Sequence, residues 1–182
     1  MEEFYFCRIL RWRQEVSSIA YEGTYFSICL DALHTEFVQA GDEVLIVPLT
    51  ADGEVILTLE PSAAFGEPTL ILPGGSTERG EEQSETARRE LQEEVGYAPE
   101  RLDFLGELRP FSKYLRTRSF VYLGRDLIPS QLDGDEGYPI EVERVPLSNF
   151  ETLIATGRLL DARAIAALYM ARTFLQVGDE VQ

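Results

Sequence analysis

The chain has 182 residues, 45% of them apolar and 26% charged, which suits one globular domain with a sizeable core, with or without a small appended element. Sixteen Lys and Arg stand against 32 Asp and Glu, for a formal net charge of −16. That balance argues against nucleic acid as a partner, because backbone binding needs cations to displace counterions, but it leaves room for a small phosphorylated ligand bridged to carboxylates by a divalent metal.

No apolar run approaches the roughly 18 residues that cross a bilayer, and no membrane partner is expected. The longest run, Ala164 to Ala171, lies between Arg163 and Arg172. Glu2, Glu3, Arg8 and Arg11 break up the first stretch, so no secretory signal is expected. Cys7 and Cys29 do not make a disulfide scaffold and read as reduced thiols of a cytoplasmic protein. His34 is the single histidine and reads as an exposed or edge-strand residue. With no HExxH, no Cys/His zinc spacing and no phosphate loop, the tools left for catalysis are carboxylates and a hard metal ion.

In chain order, Phe4 to Trp12, Tyr25 to Leu30 and Thr35 to Gln39 are β-prone runs, so residues 1–40 are expected to form a strand-rich arm. Val44 to Leu49 is nearly continuous in apolar residues, as suits a buried strand. Ala51-Asp52-Gly53 is a turn signal and Val55 to Leu59 a second strand, so Val44–Leu59 is expected to be a hairpin. Thr69 to Leu72 is a short strand ending in Pro73-Gly74-Gly75. Glu81 to Val95 contains neither Pro nor Gly, is rich in good helix formers and stops at Gly96, which predicts a helix. Leu102–Leu108 and Ser119–Leu123 are further strands, followed by an acidic loop from Asp133 to Gly137. Ile140 to Val145 alternates as a half-buried strand would. Leu147 to Ala155 and Ala162 to Gln176 are helical patterns, the second with Asp161 as its N-cap. The order predicts an α/β (α+β) layered domain.

The chemistry is carried by Gly75 to Tyr97. On a helix Glu90, Glu93 and Glu94 are related by i+3 and i+4, so they share one face. Their mutual repulsion would be relieved by opposing charge, and an oxygen-only donor set suits Mg²⁺ or Mn²⁺, which also bind substrate phosphates. Gly74 and Gly75 allow a sharp main-chain turn that presents a carbonyl. Gly96 suits the left-handed residue past a helix end. Arg89 is expected to point away from Glu90 and to hold Glu81 or Glu85, with Leu91 and Val95 packed on the sheet. A Glu-rich helix without such spacing would read as a solvated surface.

The spacing is specific. Gly75, Glu81, Arg89, Glu90, Glu93, Glu94 and Gly96 fill the fixed positions of the Nudix signature, and Tyr97 stands where that family more often has an aliphatic residue. Over about residues 41–176 the chain resembles the Nudix hydrolases, leaving 177–182 as a tail. The resemblance implies a mixed sheet sandwiched between helices and hydrolysis of a diphosphate linked to a nucleoside. It implies Glu90 and Glu94 as main metal ligands and Glu93 as a further ligand or the residue that orients a water. The Gly74 carbonyl would complete the metal site, with Gly75, Glu81, Arg89 and Gly96 as its structural support.

Within that family the chain looks most like the ADP-ribose pyrophosphatase and ADP-compound hydrolase branch. The similarity lies in Leu72-Pro73-Gly74-Gly75, in Pro110, and in the closing Gly157 to Leu168 segment. The strand-rich first residues resemble the arm that dimeric relatives exchange, which implies a homodimer. The chain departs from the branch at Leu59-Glu60-Pro61 and at Ile71. The implied activity is hydrolysis of ADP-ribose or another ADP-linked metabolite. The alternatives are dinucleoside polyphosphates, NADH or nucleoside triphosphates as substrates, or a nucleotide-sensing domain without catalysis. In the implied mechanism cations neutralise the diphosphate and activate water, with Glu136 of the acidic loop as general base or, in the plainer reading, part of a solvated turn. Arg109, Lys113 and Arg116 are the candidates for contact with terminal phosphates. Tyr5, Trp12, Tyr21, Phe65, Phe111 and Tyr114 are rings that could stack on an adenine.

Overall fold

The computed structural model of the chain describes residues 16–78, 80–134 and 137–180. Phe4 to Trp12, including Tyr5, Cys7 and Trp12, and Glu136 lie outside the described residues. The elements in chain order are β1 (Ser18–Glu22), β2 (Phe26–Leu30), β3 (Glu36–Ala40), β4 (Glu43–Pro48), β5 (Glu54–Ser62), β6 (Glu67–Ile71), α1 (Gln83–Glu90), a π-helical turn (Leu91–Val95), β7 (Tyr97–Leu108), β8 (Leu115–Arg116), β9 (Ser119–Pro129), β10 (Glu141–Pro146), a 3₁₀ turn (Leu147–Asn149), α2 (Glu151–Ala155) and α3 (Ala162–Glu180). No helix among the described residues is long and apolar enough to cross a membrane.

The chain divides into two compact units. The smaller takes in the described residues up to Gly41 together with Phe111–Thr117. In it β1, β2 and β3 pair antiparallel and β8 adds parallel to β3. β1 carries no clear apolar alternation. Its strand character comes from pairing, with Ile19 opposite Cys29 and Glu22 opposite Ser27. The buried Asp31 carboxylate closes the β2–β3 turn by accepting the N–H groups of Leu33 and Thr35, both at 2.8 Å. The Thr35 amide in particular holds its pKa below the usual value. His34 is exposed in this turn with φ 61°, and Cys29 is a buried free thiol.

The larger unit spans Asp42–Pro110 and Arg118–Gln182 and holds two three-stranded sheets. In one, β4 runs parallel to β9 and β7 antiparallel to it. In the other, β5 lies between β10 and β6, antiparallel to both. The expected Val44–Leu59 hairpin is therefore corrected. β4 pairs with β9, Val44 opposite Phe120, while β5 belongs to the other sheet, and only an isolated bridge joins Leu49 to Val55. The turn at Gly53 (φ 78°) exists. A tight turn brings two strand ends together but does not decide which strand supplies the next ladder.

After Glu43, β4 is apolar and buried because both of its faces are covered. Leu45 and Val47 join Leu57, Leu70, Val121, Leu123, Phe150 and Leu168 in the main core. Val44 and Ile46 face the other way and pack with Ala87, Leu91 and Tyr122. α3 contributes Ala164, Ala167, Leu168 and Ala171 to the first cluster, and α1 contributes Ala87 to the second. Leu91, fully buried, secures the acidic turn to β4, an anchor worth about 1.5–3 kcal/mol. Asp161 caps α3 as expected, its Oδ1 accepting the Ala164 N–H at 2.8 Å.

Candidate active site

The site is built on the edge of β4. Val44 N–H donates to the Gly75 carbonyl and Ile46 N–H to the Pro73 carbonyl, each at 2.9 Å, so Pro73 to Gly75 runs beside β4 as a short ladder. Residues in such a ladder alternate sides. Pro73 and Gly75 turn their carbonyls to β4, so the Gly74 peptide groups face away from it. There the Gly74 N–H meets Glu94 Oε2 at 3.2 Å. The reason for glycine differs from the expected sharp turn. Neither Gly74 nor Gly75 has positive φ. A Cβ on Gly74 would overlap the Val44 carbonyl oxygen, and one on Gly75 would overlap the Glu90 carboxylate. Close approach of backbone and carboxylate excludes a side chain at both positions.

The helix carrying the carboxylates changes pitch. It begins as α1 at Gln83 and widens to a π turn over Leu91–Val95. It ends at Gly96, which is left-handed (φ 78°) and donates its N–H to the Leu91 carbonyl. Wide turns of this kind occur often at functional sites. Glu90 and Glu94 are 6% and 7% exposed.

Arg89 organises the acids, and its expected orientation is corrected. Its Nε and Nη2 donate to the two oxygens of Glu81 at 3.1 and 3.3 Å, so Glu81 rather than Glu85 is its long-range partner. Instead of avoiding Glu90, Nη1 lies 2.9 Å from Glu90 Oε1 and 2.9 Å from Glu93 Oε2. A guanidinium presents a planar fork of donors, which lets one residue serve several carboxylates. The Arg89 bond holds the Glu81 carboxyl below the usual carboxylate range, against the opposing effect of burial. The same pairing raises the Arg89 pKa well above its ordinary value.

Three carboxylates on one guanidinium, with Glu94 nearby on the Gly74 N–H, leave an excess of negative charge in a half-buried place. The donor set is all oxygen, and with the Gly74 peptide it fits a hard divalent cation of the Mg²⁺ or Mn²⁺ kind. Among the described residues no three Asp, Glu, His or Cys side chains form a closed cluster. The acids are neighbours along one turn rather than a finished cage.

The other expected site residues lie in different places. Arg109 belongs to the larger unit and pairs with Glu107 at 2.7 Å, while Lys113 and Arg116 belong to the smaller one. Lys113 sits 5.1 Å from the Tyr114 ring. Arg116 lies over the Phe37 ring at 4.4 Å and bonds to Gln39. Tyr21, Phe65, Phe111 and Tyr114 are exposed rings. Gln92, Ser130 and Gln131, which hold the end of the acidic turn, escaped sequence reasoning. Their contacts join positions 38 residues apart, and no spacing marks them.

The family described as NUDIX domain matches residues 40–168. The ADP compounds hydrolase NudE of Escherichia coli (strain K12) is 33% identical over 135 residues, covering 74% of this chain and 72% of its own. The ADP-ribose pyrophosphatase of Bacillus subtilis (strain 168) is 26% identical over 149 residues, covering 81% and 78%. The crystal structure of an ADP compounds hydrolase superposes with a TM-score of 0.73 at 25% identity, covering 91% of this chain and 95% of that one.

Proposed function

This chain belongs to the NUDIX family and is a hydrolase, and from that premise we propose that it splits the diphosphate of ADP-ribose or another ADP-linked compound with the help of Mg²⁺ or Mn²⁺. The observation that carries the proposal is the acidic turn itself, with Glu90 and Glu94 buried beside a backbone that has no room for a Cβ. The choice of ADP-linked substrates is supported by likeness to relatives whose names specify them.

Glu90, Glu94 and Glu93 would hold the cation with the Gly74 carbonyl. A bound divalent cation supplies neutralisation of the two phosphates and lowers the pKa of water. Arg89 holds Glu90 and Glu93 in place through its Nη1, and Glu81 anchors Arg89 from the loop. Gly75 leaves the space that Glu90 occupies. Glu136 is proposed as general base from the sequence alone. Arg109, Lys113 and Arg116 are proposed to meet terminal phosphates; an unchanged KM in the alanine variant of each would withdraw that role.

The test is a substrate screen. The purified chain is incubated with ADP-ribose, NADH, diadenosine polyphosphates and nucleoside triphosphates, with Mg²⁺ or Mn²⁺, and the phosphate-containing products are read. AMP from ADP-ribose supports the proposal. Preferred cleavage of another compound replaces the substrate, and tight binding without products replaces catalysis by sensing. A homodimer joined through the strand-rich arm over residues 1–40 belongs to the same proposal. It is supported by the exposed Ile19, Tyr21, Tyr25 and Phe26, and a monomer mass that stays constant with concentration refutes it. A cytoplasmic setting is proposed from the low cysteine content and the free Cys29; recovery in secreted or membrane fractions would overturn it.

A further inference from the structure

The acidic turn is held from outside its own helix. Three of its carbonyls accept bonds from the segment that follows β9. Leu132 N–H donates to Gln92 at 3.3 Å, Gln131 Nε2 to Glu93 at 2.9 Å, and Ser130 N–H to Gly96 at 2.9 Å. Gln92 completes the exchange, its Nε2 donating to Ser130 Oγ at 2.8 Å. Gln131 Nε2 also bonds its neighbour's carbonyl at Leu132, at 2.8 Å. A Cβ on Gly96 would run into Gln131 Oε1, so the left-handed glycine also provides the clearance for the amide.

Carbonyls at a helix end have no donors within the helix. π turns are rare, occur as single turns and need support from their surroundings. Here the support comes from Ser130 to Leu132. The pitch has a consequence for the acids. Shifting a helix by one residue rotates whatever follows by about 100°. Glu90 belongs to the α turn, whereas Glu93 and Glu94 belong to the π turn. Relaxation of Leu91–Val95 toward α pitch would therefore swing two carboxylates relative to the third.

We propose that Gln131, with Gln92 and Ser130, is a positioning clip that sets the angle of Glu93 and Glu94 to Glu90 and so tunes the affinity of the acidic turn for a divalent cation. Gln131 acts through the Glu93 peptide and touches no substrate. The inference rests on the reading of these carboxylates as cation ligands.

Gln131→Met keeps length and bulk but has no N–H to donate. The probe is Mn²⁺ alone, titrated into the full chain and followed by electron paramagnetic resonance of the free ion, well below the melting temperature, with thermal unfolding recorded in parallel. Wild type is expected to bind Mn²⁺ and Gln131→Met to bind it about fivefold more weakly, the weight of one net hydrogen bond. Gln92→Met, which removes only the bond to Ser130, should shift affinity in the same direction by less. A purely structural role would lower the melting temperature and leave Mn²⁺ affinity of the folded chain unchanged, and that result overturns the clip. If Gln131→Met is unfolded at the titration temperature, Gln92→Met decides, and wild-type affinity there overturns the clip. A wild type that takes up no Mn²⁺ overturns the ligand reading instead, and the clip falls with it.

Discussion

Two adjacent glycines should fail in different ways. A Cβ on Gly74 would overlap backbone, namely the Val44 carbonyl, with the Leu45 Cα close behind; on Gly75 it would overlap only the Glu90 carboxylate. Neither glycine has positive φ, so alanine is acceptable to the chain itself and the cost is steric. Val44 is 1% exposed, packed with Ala87, Leu91 and Tyr122, and cannot retreat. Gly74→Ala must then open the ladder made by Val44 to Gly75 and Ile46 to Pro73. Two net hydrogen bonds and local overpacking together come to about 3–5 kcal/mol. For a chain of this size that lowers Tm by roughly 6–20 °C. Gly75→Ala meets a side chain that can rotate, at about 0.5–1.5 kcal/mol for an off-rotamer Glu90. Its Tm should fall by only a few degrees, while displacement of Glu90 from Arg89, and from the cation it is proposed to hold, should cost on the order of 10²-fold in turnover. Circular-dichroism melts and initial rates at saturating Mg²⁺, on the substrate found in the screen, measure both. A Gly75→Ala enzyme with wild-type turnover, or a Gly74→Ala chain that melts with wild type, would refute the steric reasoning.

Other substitutions separate the remaining roles. Glu94→Gln keeps an oxygen for the Gly74 N–H, so the fold should persist while turnover nearly vanishes; near-normal rates with saturating Mg²⁺ would overturn its assignment as a ligand. Arg89→Lys retains the charge but cannot span Glu81, Glu90 and Glu93, and should cost about 1–3 kcal/mol in denaturant melts. An unchanged midpoint would show that the fork is dispensable. Glu136→Gln should slow kcat by more than about tenfold if Glu136 is the base, and a smaller effect removes it from that role. Because the folded Glu81 pKa is depressed, its ionised form adds stability above the ordinary value of 4.5, and that contribution is lost as pH falls through the folded pKa. The Tm gap between wild type and Glu81→Gln should therefore hold near neutrality and close below about pH 4.5; a gap that widens in acid contradicts the sign.

Local chemistry was legible in the sequence wherever one short segment decides the outcome. The helix, its stop at Gly96, the Asp161 cap and the buried run of β4 all follow from neighbours within a few residues. So did the recognition of a NUDIX hydrolase and a mixed α/β fold, because seven residues at set intervals carry the family. Tertiary contacts decided the rest. The ladder of β4 comes from β9 and not from β5, because Val55 and Leu57 of β5 are spent packing in the core with Leu45 and Val47, which leaves the hydrogen-bonding edge of β4 to β9. Arg89 turns to Glu90 because Glu81 and Glu93 draw the two sides of its fork. The π turn and its clip from Ser130 to Leu132 join segments far apart in sequence. Periodicity reports which face of an element is apolar; it carries no information about which distant donor or strand will meet that face.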